Sequence, residues 1–126
     1  MRVLVVDDTD HVRSMLVDML SLDGFDVVGQ AADGSAAVTA VEETDPDVIV
    51  MDLRMPGVDG LEATRRIRSR RPDQVVILYT AYLDDRIKAE AAAAGARLCL
   101  GKIEGLFELE RELDRIRFEL TGEPER

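Results

Sequence analysis

Five short apolar runs recur along the chain: Val3 to Val6, Phe25 to Val28, Val48 to Met51, Val75 to Tyr79 and Leu98 to Leu100. Each is rich in β-branched or aliphatic side chains and does not alternate with polar residues. An unalternating run of this length is the pattern of a strand covered on both faces, as in a parallel sheet flanked by helices.

The segments between the runs carry helical spacing with readable ends. The first helix is expected over about Asp10 to Leu22, with Val12, Leu16, Met19 and Leu20 on one face, Thr9 or Asp10 as its cap and Gly24 as its stop. The second is expected over about Ser35 to Glu43, before Pro46, and the third over about Leu61 to Arg70, before Pro72. Asp84 or Asp85 can cap a fourth that Gly95 closes. The fifth runs from about Leu106 to Leu120, where Leu106, Leu109, Leu113, Ile116 and Leu120 form a stripe expected to be buried. Phe107 and Phe118 fall on a neighbouring face and mark a candidate surface for a second copy or another partner. Strands and helices alternating in this way imply right-handed crossovers and a doubly wound parallel α/β sheet. Residues 1–121 read as one domain and residues 122–126 as a short tail.

Such a sheet puts its working crevice beyond the carboxyl ends of the strands, where strand order reverses. Asp7 and Asp8 follow the first run, Asp52 the third and Thr80 the fourth, while Lys102 lies just past the fifth. The polar residues best suited to chemistry therefore share one rim. If the first and third strands are neighbours, three carboxylates converge and repel one another unless they are protonated or joined by a cation. An all-oxygen site open to water suits Mg2+, which shares phosphate oxygens with its substrate. Asp52 sits ahead of the turn Leu53-Arg54-Met55-Pro56-Gly57, where a carboxylate can attack phosphorus in line. Thr80 can donate a hydrogen bond to a transferred oxygen, and the Lys102 ammonium can pair with another.

Composition narrows the picture. The 126 residues are 46% hydrophobic and 33% charged, globular values for a single core. A net charge of -10 argues against direct nucleic-acid binding, which needs a basic face to displace counterions. The basic cluster Arg65, Arg66, Arg68, Arg70 and Arg71 has no interleaved aromatics and reads as a solvated helix face. Cys99 is the single cysteine, so no intrachain disulfide can form and a reducing compartment is expected. The apolar start is too short for a signal peptide, and no run approaches a membrane span, so a cytoplasmic protein is expected. His11 reads as a surface residue.

The segments Val5-Val6-Asp7-Asp8, Met51-Asp52-Leu53-Arg54-Met55-Pro56-Gly57-Val58-Asp59-Gly60, Thr80-Ala81 and Gly95-Ala96-Arg97-Leu98-Cys99-Leu100-Gly101-Lys102 closely resemble the receiver domains of two-component response regulators. The resemblance covers roughly residues 1 to 120 and implies a flavodoxin-like five-stranded sheet in the order 2-1-3-4-5. It implies that Asp52 is the phosphoacceptor. Asp8 would bind Mg2+ directly, Asp7 would help through water, and the Arg54 backbone carbonyl would be a further ligand. Thr80 and Lys102 would bind the phosphoryl group. The implied donor is a phosphohistidine on a sensor histidine kinase or histidine phosphotransfer protein, with small acyl phosphates as substitutes.

Three positions depart from the family pattern. Cys99 stands where an aromatic ring usually reports the state of the site, which shifts the expected switch toward Thr80 and Tyr82. Ile103 replaces the proline that usually follows the lysine, so a trans bond is expected there. Arg54 and Tyr82, two residues after Asp52 and Thr80, are large and are expected to shield the phosphoryl group from water. The leading alternative is a non-phosphorylated pseudo-receiver acting as a protein-interaction module. A dehalogenase-type phosphatase would need a second Asp where Arg54 stands, and in a flavodoxin-type cofactor binder Asp7-Asp8 would repel the phosphate.

Overall fold

The computed structural model describes residues 1–102 and 105–122. The elements run β1 (Arg2–Val6), α1 (Asp10–Leu22), β2 (Asp26–Ala31), α2 (Gly34–Thr44), β3 (Val48–Asp52), α3 (Gly60–Arg70), β4 (Val75–Thr80), α4 (Asp85–Ala94), β5 (Leu98–Gly101) and α5 (Leu106–Thr121). The five strands form one parallel sheet in the order β2-β1-β3-β4-β5.

The middle strands are apolar for the reason their sequence suggests. Val3 to Val6, Val48 to Met51 and Val76 to Leu78 are all buried. β2 differs because it lies at the sheet edge, where one flank meets water. Its residues are mostly half-buried or exposed, and it starts after Phe25 and continues through Gly29, Gln30 and Ala31. At β3, β4 and β5 the pairing continues past the apolar run, joining Asp52 to Tyr79 and Thr80 to Gly101. The backbone ladder therefore carries Asp52 and Thr80 as terminal strand residues.

Two apolar layers sandwich the sheet. On one face Ala37, Val41, Ala63, Ile67, Ile87 and Ala91 from α2, α3 and α4 pack on Leu4, Ile49, Met51 and Leu78. On the other face Leu16 and Leu20 of α1 with Leu109, Leu113 and Ile116 of α5 cover Val3, Val5, Val50 and Ile77.

Helix ends follow local chemistry. Asp33, Asp59 and Asp84 cap α2, α3 and α4 by accepting from the N–H groups of Ala36, Glu62 and Ile87. Gly95 closes α4 at a φ of 102°. α1 departs from expectation, because neither Thr9 nor Asp10 supplies a side-chain cap. The Thr9 N–H instead donates to the Asp7 carboxylate at 2.8 Å.

The α5 stripe is also shorter than expected. Leu109, Leu113 and Ile116 are buried and Leu106 is half-buried, but Leu120 is 57% exposed. A 16-residue helix is about 24 Å long, whereas the four-residue β5 beside it spans about 13 Å, so the last turn overshoots the sheet. Phe107 and Phe118 are exposed, as their position on the neighbouring face implies.

The arginine cluster divides in two. Arg65 and Arg66 are solvated and pair with Glu62 on their own helix. Arg68 and Arg71 are half-buried; Arg68 donates to the Gln74 carbonyl at 3.1 Å and Arg71 pairs with Asp45. Among the described residues no helix is long and apolar enough to cross a membrane.

Candidate functional site: an acidic pocket at the strand ends

Because β1 and β3 are neighbours, the turn after Val6 and the end of β3 meet. Carboxylate oxygens of Asp7, Asp8 and Asp52 all lie within 4.8 Å of one another. Asp7 and Asp52 are buried, while Asp8 is exposed and opens the group to solvent. Hard oxygen donors at this spacing, with one side toward water, fit Mg2+.

Lys102 supplies the positive charge. Its Nζ lies 3.1 Å from Asp52 Oδ2 and 3.6 Å from Asp7 Oδ2. Burial pushes the Asp52 carboxyl above its ordinary value and the Asp7 charge adds to that, while the hydrogen bond from Lys102 works against both. For Lys102 burial favours the neutral amine, but Asp52 and Asp7 overcome it and raise the ammonium above its ordinary value.

The backbone around Asp52 is tightly placed. The Arg54 N–H donates to Asp52 Oδ1 at 3.2 Å, and the Leu53 N–H donates to the Tyr79 carbonyl at 2.8 Å. A Cβ added to Gly60 would fall 2.5 Å from the Asp52 carbonyl oxygen, so only glycine lets α3 begin directly against this strand end. Thr80 is buried at the end of β4, where its hydroxyl accepts from the Tyr82 N–H at 3.4 Å. The Lys102 N–H bonds to the Thr80 carbonyl at 2.9 Å, which ties the lysine to the same rim.

The expected set Asp7, Asp8, Asp52, Thr80 and Lys102 thus gathers at one end of the sheet. Tyr82 and Cys99 stand apart from it, and Arg54 touches it through its backbone while its side chain points to solvent. Arg54 and Tyr82 are exposed, Tyr82 by 80% of its surface, so the shield expected of that ring is not in place. Cys99 is buried on the opposite face from Tyr79, among Leu78, Ile87 and Ala91, and burial raises its thiol above the ordinary value. A recess of about 370 Å³ beside it is bordered by Leu83, Lys88, Ala91, Ala96 and Gly101. The expected trans bond at Ile103 lies outside the described residues.

Two contributors escape a reading by motif. The Tyr79 hydroxyl donates to Asp7 Oδ2 at 2.6 Å and lies 3.2 Å from the Val6 carbonyl. Burial, then Asp7, drives its phenol far above the ordinary value, so it remains a donor. Arg13 donates to the Asp7 carbonyl at 2.6 Å and pairs with Asp10 at 2.7 Å, bracing the acidic turn from α1. The available signals were a tyrosine ending an otherwise apolar run, whose hydroxyl needs a partner when buried, and an arginine three residues after Asp10.

Comparison with known proteins decides the lineage of this pocket. The family model described as the response regulator receiver domain matches residues 3–114. The chain belongs to that family. Response regulator GacA of Pseudomonas viridiflava is 43% identical to this receiver over 109 residues, covering 86% of the chain and 51% of GacA. The transcriptional regulatory protein LiaR of Bacillus subtilis is 40% identical over 124 residues, covering 98% of the chain and 57% of LiaR. The receiver thus spans about half the length of these curated relatives. Among solved structures, the signal receiver domain of NarL from Mycobacterium tuberculosis superposes with a TM-score of 0.85 at 36% identity, covering 92% of this chain and 95% of that one. The order β2-β1-β3-β4-β5 is the flavodoxin-like arrangement such receivers share.

Proposed function

We propose that this receiver is a phosphoacceptor module of a two-component system, and that Asp52 carries the phosphoryl group. The observation that supports this best is the convergence of Asp7, Asp8 and Asp52 with Lys102 against Asp52. A carboxylate oxygen of Asp52 attacks the phosphorus of a phosphohistidine. A P–O bond forms, the P–N bond breaks, and the departing imidazole takes up a proton, leaving a mixed anhydride on Asp52. Lys102, already 3.1 Å from the carboxylate, then pairs with a phosphoryl oxygen, and the Thr80 hydroxyl donates to another. Asp8, Asp52 and the Arg54 carbonyl would hold Mg2+ directly and Asp7 through water, and the ion when bound neutralises charge on the phosphoryl oxygens. Hydrolysis of the anhydride returns Asp52 and inorganic phosphate.

The donor is a sensor histidine kinase or a histidine phosphotransfer protein in the cytoplasm, and the signal passes by changed partner binding. We assign residues 1–121 to the receiver unit. With a net charge of -10 this chain does not read DNA directly, so any such output belongs to a partner or an attached module.

Mass spectrometry after acetyl phosphate and Mg2+ treatment tests the reading. Wild type should gain one phosphoryl adduct, and Asp52→Asn, nearly isosteric but not nucleophilic, should gain none while keeping its fold. An adduct that persists in the variant removes Asp52 from the role, and no adduct on wild type would leave a binding-only pseudo-receiver.

A further inference from the structure

We infer that Tyr79 is a positioning residue for the acidic pocket and acts through Asp7; the inference rests on the phosphoacceptor reading above. Tyr79 pairs with Asp52 in the β3–β4 ladder and precedes Thr80, so its backbone is already fixed by the site. Its ring is packed in the α1–α5 layer, and the hydroxyl reaches past Val6 to Asp7.

Asp7 is fully buried, and its two oxygens are held from different directions. Oδ1 accepts from the Thr9 N–H at 2.8 Å and Oδ2 from the Tyr79 hydroxyl at 2.6 Å. Two donors on opposite oxygens fix the carboxylate plane, which neither could do alone. The same phenol influences Lys102, whose Nζ lies 5.4 Å from the ring centroid and 3.6 Å from Asp7 Oδ2. With Oδ2 engaged by the hydroxyl, the ammonium sits closer to Asp52, at 3.1 Å. Without the hydroxyl, Oδ2 is free to turn toward Lys102, which draws the ammonium from Asp52 and tilts Asp7 away from its metal-facing orientation. Packing alone does not call for this hydroxyl, since phenylalanine would fill the same space in the apolar layer.

Isothermal titration of MgCl2 into the whole chain, with no phosphodonor present, reads this directly. Tyr79→Phe should weaken Mg2+ binding about tenfold, the lower range for loss of a group that orients a metal ligand. The ratio should fall to one in an Asp7→Asn background, where the partner carboxylate is gone. An unchanged Mg2+ affinity in Tyr79→Phe, even with a lowered melting temperature, would reduce Tyr79 to a packing residue and overturn the inference. A ratio that persists without Asp7 would overturn it too. Wild type that binds Mg2+ and accepts phosphate while Tyr79→Phe binds equally well sinks only this inference; wild type that does neither sinks the phosphoacceptor reading with it. Should Tyr79→Phe fail to fold, 3-fluorotyrosine labelling keeps the hydroxyl. The fluorine resonance of Tyr79 should then move with Mg2+ while that of exposed Tyr82 stays, and a static Tyr79 resonance overturns the inference.

Discussion

Burial makes ionised Asp52 costly. The folded protein holds the Asp52 proton more tightly than the unfolded chain does, because burial and then Asp7 raise its carboxyl despite Lys102. As pH rises from about 4, the unfolded chain releases that proton first, so the folded state loses stability until its own raised value is passed. Asp52→Asn has no such proton to release. In metal-free buffer the melting temperature of the variant relative to wild type should therefore climb with pH above about 4 and then level off. A difference that stays flat across that range would show that Asp52 ionises in the fold as freely as in water. Such crowding is a functional cost, since the buried carboxylate that strains the metal-free domain is also the group proposed to attack phosphorus.

At the scale of elements, each helix contributes only as much as the sheet beneath it can cover. Leu113 of α5 is fully buried against the sheet, whereas Leu120, seven residues on and in line with it, stands 57% exposed past the sheet edge. Leu113→Ala should cost about 2–5 kcal/mol in urea unfolding, and Leu120→Ala less than about 0.5 kcal/mol. Equal losses would mean that Leu120 is covered in solution, by a second copy or by another segment of chain. The helical spacing of the stripe could be read in the sequence because periodicity is a local property. Where its burial stops could not, because that depends on how far the sheet packed beneath the helix extends. The same reasoning separates the exposed pair Arg65 and Arg66 from half-buried Arg68 and Arg71, which look alike within one basic run.

Across the whole molecule, three acids and one lysine brought together from three strand ends leave the metal-free domain with excess negative charge at one end. A cation that binds only the folded chain stabilises it by mass action, about 2.7 kcal/mol at a hundredfold excess over the dissociation constant. Mg2+ should raise the melting temperature by several degrees, and EDTA should reverse the shift. Asp8→Ala should melt higher than wild type without metal and respond less to Mg2+, since it removes one crowded charge together with a ligand. A Mg2+ shift of undiminished size in that variant would rule out Asp8 as a direct ligand.

The amino-acid sequence by itself determined the strands, the helix limits to within a residue or two, the sheet order through family resemblance, and the rim on which Asp7, Asp8, Asp52, Thr80 and Lys102 gather. Hydrophobic period, caps and turn residues are short-range signals, and strand polarity in a parallel sheet sends every strand end to the same side. Only the tertiary structure decided that Tyr82 faces solvent and that Tyr79 and Arg13 brace the acidic turn. Those outcomes depend on which side chains from separate elements come within about 3 Å of one another. A hydrogen bond is satisfied by whichever partner packing brings near, and no local pattern encodes a partner 72 residues away.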